Sequence, residues 1–151
     1  MVDVPVGEYV CTRIRRAEQA LMAHHEAVLR GYGLTMTQYT VLLTLSREDS
    51  MSGAQLARAC GVTQQSMATV LTGMQNKGVI DRKPSPLHAK VMIASLTPAG
   101  LDLLDHAYQE VIVLERALTD RFTSDEHKLF CEFLDRATAA LIEQTPTAHT
   151  N

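Results

Sequence analysis

The sequence has no tryptophan, and aromatic residues make up only 5% of its 151 residues. A hydrophobic core must therefore rest on aliphatic side chains and methionine, within an apolar fraction of 46%. No apolar run approaches the roughly 18 residues that span a bilayer, so no membrane helix is predicted. Residues 1–5 lack the basic start and apolar stretch of a signal peptide, and we expect a cytoplasmic protein.

Cysteine is scarce, and the recognisable catalytic motifs are missing. Cys11, Cys60 and Cys131 are odd in number and have no C-x-x-C spacing, which argues against a disulfide framework and a structural zinc site. The sequence also lacks a glycine-rich phosphate loop, a nucleophile elbow and a clustered carboxylate–histidine set. We therefore predict no enzyme activity, no cofactor and no metal.

The stretch from Thr63 to Gly78 is typical of one complete helix. Thr63 is a good N-cap, and Gly78 is a good left-handed stop just past the helix end. Apolar residues recur with helical spacing at Met67, Val70, Leu71 and Met74. The opposite face is uncharged and suited to reading base edges, and it carries Gln64, Gln65, Ser66, Thr69, Thr72 and Gln75.

A short helix capped by Ser52 precedes this one, and only a few residues around Gly61 separate the two. Helix, short glycine-containing turn and second helix form a helix-turn-helix pattern. An ordinary helical hairpin in a bundle fits these two segments equally well. The residues that follow Gly78 decide between these alternatives.

Residues 79–83 predict a short strand, residues 84–89 a proline-containing turn, and residues 90–96 a second, β-branched strand. Thr97 and Pro98 then suit the N-cap and first position of another helix. A helix-turn-helix followed by a basic hairpin is a winged helix, in which the second helix enters the major groove of DNA. The hairpin therefore favours DNA binding over the bundle.

The charge distribution supports this interpretation, although the net charge is −3. Residues 51–100 hold five basic side chains against one acidic one, a net charge of +4. The remainder holds nine basic against sixteen acidic side chains, a net charge of −7. A basic middle between acidic ends fits a module that faces phosphates.

The predicted fold is mainly α with a small β-hairpin wing. We expect a single domain over residues 1–151, with the winged helix-turn-helix at 34–97 between long helices at 8–31 and 98–144. A further helix should begin near Thr37 and be buried, and Thr123 or Ser124 should cap the last helix. The end helices carry more apolar surface than one small winged helix covers, which predicts an interface.

The order and spacing of four segments resemble the MarR family of bacterial transcriptional regulators. They are Leu34-Thr35-x-x-Gln38-Tyr39-x-Val41-Leu42, Gln55-Leu56-Ala57, Met74 through Arg82, and Ser95 through Gly100. The resemblance implies a homodimer whose first and last helices pack across a two-fold axis. It also implies that each protomer presents one winged helix to half of a pseudo-palindromic site on double-stranded DNA.

Ten residues are candidate DNA contacts under this resemblance. We expect five of them to face bases or the groove wall: Gln64, Gln65, Ser66, Thr69 and Thr72. We expect the other five to approach phosphates and the minor groove: Lys77, Arg82, Lys83, His88 and Lys90. The family wing usually carries an Asp two residues before an Arg, and His88 and Lys90 hold those positions here. Lysine keeps the charge but lacks the planar fork of arginine, so altered minor-groove reading is expected.

The resemblance also implies a repressor that a small aromatic effector releases, with Arg16, His25, Met36 and Tyr39 as candidate lining residues. Two alternatives remain open. Cys11 lies 28 positions before Tyr39, the place of the sensing cysteine in the peroxide-sensing branch of the family. The second alternative is a protein-interaction module that uses the winged helix and binds DNA weakly, and loss of the wing arginine favours it slightly.

Overall fold

A computed structural model describes residues 9–143. In that range it has six helices and three short strands. In chain order these are α1 (Val10–Gly31), α2 (Met36–Leu45), β1 (Met51–Ser52), α3 (Gly53–Ala59), α4 (Gln64–Asn76), β2 (Ile80–Pro84), β3 (Met92–Leu96), α5 (Pro98–Thr119) and α6 (Ser124–Glu143). The mainly α fold with a small β wing is thus confirmed.

The chain forms two compact units, and the boundary between them follows Val111, within α5. The single domain and its internal boundaries stay a prediction. The expected helix ends at residues 8 and 144 lie outside the described residues. Residues 1–5, which lack the features of a signal peptide, lie outside them as well. No helix in the described part of the chain combines the length and apolarity that crossing a membrane requires.

The core of the first unit is built around α2, α3, α4 and the sheet. Helix α2 is buried on several sides, as its nearly continuous apolar sequence predicts. Helix α1, by contrast, has Leu29 as its one buried residue. The largest side chains that are completely buried in this unit are Leu29, Leu42, Leu56, Met67, Leu71, Met74, Ile80 and Val41.

The start of α2 corrects one prediction. The N-cap is Thr35, not Thr37. The Thr35 hydroxyl accepts a hydrogen bond from the Gln38 backbone N–H at 3.2 Å, and the Gln38 side-chain oxygen accepts one from the Thr35 N–H at 3.1 Å. This reciprocal capping box satisfies two amide donors at once, which a cap at Thr37 would not. The predicted cap at Ser52 is confirmed, and Gln55 completes the same box there.

Left-handed glycines end the two helices of the helix-turn-helix. Gly61 has φ of 65° and Gly78 has φ of 72°, values that a side chain would strain. After each glycine the chain turns back onto its helix, and Val79 N–H donates to the Met74 carbonyl at 3.2 Å. These are Schellman turns, so the predicted stop at Gly78 is confirmed.

The three strands form an antiparallel sheet in the order β1-β3-β2. Both hairpin strands are confirmed, with Ile80 opposite Leu96 and Pro84 opposite Met92. The third strand, β1, was not predicted from the sequence. Met51 pairs with Ala94 in this strand, which has only two residues and therefore leaves no alternation pattern to detect.

Helix α6 belongs to the second unit and has no buried residue. Thr123 caps it, as one of the two predicted alternatives, by accepting the Glu126 N–H at 3.3 Å. The Phe122 and Phe130 rings stack with centroids 5.2 Å apart. Along α6 the exposed large apolar side chains are Leu129, Phe130, Phe133, Leu134, Leu141 and Ile142.

Candidate nucleic-acid interface

Helix α4 separates its side chains into two faces as the sequence predicts. Met67, Leu71 and Met74 are buried against the rest of the first unit. The five predicted base-facing residues are all exposed on the other side: Gln64, Gln65, Ser66, Thr69 and Thr72. The apolar face thus fixes the helix to the core while the polar face stays open to a ligand.

The cap of α4 also orients a hydroxyl on its outer face. The Thr63 hydroxyl accepts the Ser66 backbone N–H at 3.1 Å and donates its own proton to the Ser66 side-chain oxygen at 2.9 Å. The Ser66 hydroxyl accepts in this contact, so its own proton remains available to an acceptor on a ligand. The first turn of α4 therefore has a preoriented hydrogen-bond donor.

The hydroxyl groups of the threonines further along α4 donate their hydrogen bonds to backbone carbonyls of the same helix. The Thr69 hydroxyl donates to the Gln65 carbonyl at 3.3 Å, and the Thr72 hydroxyl donates to the Ala68 carbonyl at 2.9 Å. Both residues thus offer a methyl group and an acceptor oxygen. Within residues 9–143, no hydrogen bond engages the side-chain amides of Gln64 or Gln65. Among the five predicted base-facing residues, the available donors are therefore concentrated in the first turn.

The wing carries exposed cations at its tip and on one strand. Along β2, Arg82 is half-buried and Lys83 is exposed, because successive residues of a strand point to opposite faces. The tip is closed by a hydrogen bond from Ser85 N–H to the Val91 carbonyl at 2.7 Å. His88 and Lys90 are exposed inside this closed loop. The tip is thus a compact, basic projection.

Lys77 differs from the other predicted phosphate contacts. Its ammonium group donates a hydrogen bond of 2.7 Å to the backbone carbonyl of Gly33, in the turn between α1 and α2. Lys77 is also the C-cap of α4, with its backbone N–H bonded to the Gly73 carbonyl. In this conformation the charge of Lys77 is held against the protein.

The four residues predicted to line an effector site do not share a cavity in the described chain. Met36 lines a cleft of about 370 Å³ with Glu26, Arg30, Gly33, Leu34 and Thr35. Arg16 lines a separate groove on α1. His25 is half-buried, and Tyr39 is buried. Burial raises the pKa of Tyr39; Tyr108 adds to the rise and Arg47 opposes it.

A second cleft in the first unit was not predicted from the sequence. It measures about 260 Å³ and lies between α2 and the start of α5. Its lining comprises Leu43, Ser46, Arg47, Leu101, Leu104, Asp105 and Tyr108. Arg47 belongs to a polar loop segment, and only the packing of α5 on α2 brings Tyr108 near it, so no local sequence signal marks this cleft.

The cysteines differ in environment. Cys11 is exposed on α1, and Cys131 is exposed on α6 with its sulfur 3.8 Å from Nε2 of His127. Cys60 is half-buried, and burial raises the pKa of its thiol. Across residues 9–143, no three His, Cys, Asp or Glu side chains lie where they could hold a metal ion together.

Comparison with known proteins agrees with this geometry. The sequence profile described as MarR family matches residues 32–90, which run from the end of α1 to the tip of the wing. The HTH-type transcriptional repressor Rv2887 of Mycobacterium tuberculosis strain H37Rv is 30% identical over 134 residues. That alignment covers 89% of this chain and 94% of the repressor.

Solved structures share the fold. The transcriptional repressor CouR, bound to a 23-mer DNA duplex, superposes with a TM-score of 0.79 at 22% identity, over 88% of this chain and 94% of CouR. BpsR of Bordetella bronchiseptica, whose DNA binding is regulated by 6-hydroxynicotinic acid, superposes with a TM-score of 0.78 at 18% identity. It covers 89% of this chain and 96% of BpsR. The predicted winged helix-turn-helix is therefore confirmed.

Proposed function

This chain belongs to the MarR family of DNA-binding transcriptional regulators, and from that premise we propose that it is a repressor of a pseudo-palindromic operator, bound as a homodimer. The observation that carries the proposal is the outer face of α4, where uncharged hydrogen-bonding side chains are exposed and the first-turn donors are unengaged. We also propose that the protein is not an enzyme and that it is cytoplasmic, because such a regulator acts on the bacterial chromosome.

Gln64, Gln65 and Ser66 are the residues we assign to base edges. A glutamine amide can bond an adenine edge with both its donor and its acceptor, which discriminates by roughly 1–3 kcal/mol. Thr69 and Thr72 suit the groove wall and thymine methyl groups, because their hydroxyl protons are already used within α4. Reading is thus concentrated in the N-terminal turn of the helix.

Affinity in this proposal comes from the wing. Arg82, Lys83, His88 and Lys90 are the candidates for phosphate and minor-groove contacts, and none of their side chains forms an ion pair with a carboxylate among residues 9–143. A cationic side chain without a carboxylate partner is available to neutralise a phosphate. Each neutralised phosphate contributes to the affinity for DNA and to the salt dependence of that affinity.

The homodimer is supported by apolar surface that one protomer leaves uncovered. Helix α6 has no buried residue, and Phe133 is 55% exposed. On α1, Val10 is 66% exposed. Apolar exposure along whole helices usually marks an interface, and a two-fold dimer would present two winged helices to one operator.

Release by a small molecule is the regulatory part of the proposal. Its support is the regulation of BpsR by 6-hydroxynicotinic acid, together with two clefts of about 370 and 260 Å³ in this chain. The residues proposed for an effector site remain Arg16, His25, Met36 and Tyr39. A partner copy would be needed to bring them to one cavity, since the single chain does not.

Selection of bound DNA from a random pool tests the proposal directly. We expect enrichment of a pseudo-palindrome whose half-sites lie about 10 base pairs apart, the spacing of two-fold helix-turn-helix dimers. If no sequence is preferred over a scrambled pool at moderate salt, the protein-interaction alternative replaces the proposal.

The peroxide-sensing alternative depends on Cys11, whose exposure would admit an oxidant. Organic hydroperoxide should then release the selected DNA from the wild type but not from Cys11→Ser. An identical response of the two proteins removes this alternative, and 6-hydroxynicotinic acid in the same assay examines release by a small aromatic acid.

A further inference from the structure

The contact between Lys77 and Gly33 joins two points that are 44 residues apart in sequence. The donor is the ammonium group of the residue that ends α4, and the acceptor is the backbone carbonyl in the turn between α1 and α2. Its length of 2.7 Å is short for a nitrogen donor and typical of a charge-assisted hydrogen bond.

The acceptor side of this contact is rigid. Gly33 adopts a left-handed φ of 64°, and the N–H of Leu34 closes the turn by donating to the Leu29 carbonyl at 3.0 Å. Leu29 and Leu34 are both buried, so the turn is fixed to the core on each side. The Gly33 carbonyl is therefore a firm anchor for the end of α4.

We propose that Lys77 is a positioning residue for DNA recognition, which sets the angle of α4, and that it does not neutralise a phosphate. This inference rests on the proposed function. Lys77 lies about 18 Å along the helix from Gln65. A small movement at the Lys77 end of α4 therefore changes the orientation of the N-terminal turn that faces the bases. Hydrogen bonds to base edges weaken steeply with misalignment, which makes that angle matter for discrimination.

The salt dependence of binding separates positioning from phosphate contact. Lys77→Met keeps much of the side-chain volume but removes the donor, and Lys83→Met makes the matched change at an exposed wing residue. A lost phosphate contact lowers the slope of log K against log salt by about 0.9, hence by about 1.8 in a dimer with two copies. We expect that change for Lys83→Met only.

For Lys77→Met we expect the wild-type slope, about tenfold weaker operator binding, and a smaller ratio of operator affinity to scrambled-DNA affinity. A purely structural defect would reduce the active fraction and leave that ratio unchanged. Lys77→Arg, which retains a cationic donor, should restore part of the ratio. A slope that falls as far as in Lys83→Met overturns the inference.

Amide hydrogen exchange examines the contact without DNA. Lys77→Met should speed exchange both in the last turn of α4 and around Leu34, and Lys83→Met should change neither. Unchanged exchange in Lys77→Met would also overturn the inference. If the wild type prefers no DNA sequence, the proposed function fails, and so does the role of Lys77 in recognition. The exchange measurement then still shows whether Lys77 anchors the end of α4 to the Gly33 carbonyl.

Discussion

Gly100 lies so close to the backbone of Val79 that a β-carbon built on it would stand 1.9 Å from the Val79 carbonyl oxygen. Two hydrogen bonds from Thr97 hold the same place: its N–H donates to that carbonyl at 3.3 Å, and its hydroxyl donates to the Gly78 carbonyl at 2.7 Å. The start of α5 is thus joined to the turn that ends α4.

Gly100→Ala should therefore destabilise the protein by about 1–3 kcal/mol, the usual cost of forcing extra volume into a packed site. Backbone, not a flexible side chain, would have to move. Urea unfolding at fixed protein concentration measures the loss. Gly73→Ala is the matched control, because an added β-carbon there meets nothing within 4 Å. Alanine inside a helix should instead stabilise by about 0.5–1 kcal/mol.

Removing the cap of α4 should weaken both the fold and the DNA-reading turn. Thr63→Ala deletes the acceptor of the Ser66 N–H and should cost about 1 kcal/mol in the free energy of unfolding. Thr63→Ser keeps the hydroxyl and should remain close to the wild type. Equal losses for the two variants would show that the hydroxyl does not stabilise the helix.

Two substitutions should divide DNA reading from DNA affinity. Gln65→Ala should relax preference at one position of each half-site by roughly 1–3 kcal/mol. Lys83→Ala should weaken binding to all sequences alike and flatten its salt dependence. Competition binding with point-substituted operators measures both effects. Uniform losses for both variants would contradict this division.

The proposed dimer should depend on the apolar face of α6. Phe133→Asp places a charge where the ring is 55% exposed in a single chain, so it should favour the monomer through the cost of burying that charge at an interface. Sedimentation across a range of concentrations follows the change. Glu132→Gln, on the neighbouring exposed position, should leave the association state unaltered. A monomeric wild type would refute the dimer itself.

The start of α6 should respond to acid through Glu126. Its carboxylate accepts hydrogen bonds from the Thr123 N–H and hydroxyl, both at 2.9 Å, and these lower the pKa of Glu126. A lowered folded-state pKa means that the stabilisation is present above the ordinary value of about 4.3 and is lost as pH falls through the folded-state pKa.

Unfolding curves of the wild type and Glu126→Gln test this at several pH values. The wild type should be the more stable of the two at neutral pH, and the difference should shrink as the carboxylate is protonated. A difference that stays constant down to pH 3 would contradict the assignment.

Local sequence patterns predicted most elements of the fold. Caps and stops such as Thr63 and Gly78 act within a few residues, so their chemistry can be read directly from the chain. The N-cap of α2 is Thr35 and not the predicted Thr37, although the T-x-x-Q signal formed by Thr35 and Gln38 is present in the sequence. Strand β1 left no such signal, because its partner is supplied by β3.

Local sequence patterns likewise predict one part of the candidate site and not the other. The exposure of Gln64 and Gln65 follows from helical periodicity, because burial of Met67, Leu71 and Met74 directs the other face outward. The position of the Lys77 ammonium does not follow from any periodicity. It depends on the Gly33 carbonyl, which reaches Lys77 only when α1, α2 and α4 are assembled.

The sequence by itself determined the order of the helices and of the two hairpin strands, the polar face of α4 and the basic wing, because these depend on interactions between near neighbours. Only the tertiary structure decided that Gly100 must lack a side chain and that Lys77 is held at the α1–α2 turn. Both depend on contacts between distant segments, whose distances the packing of the core sets.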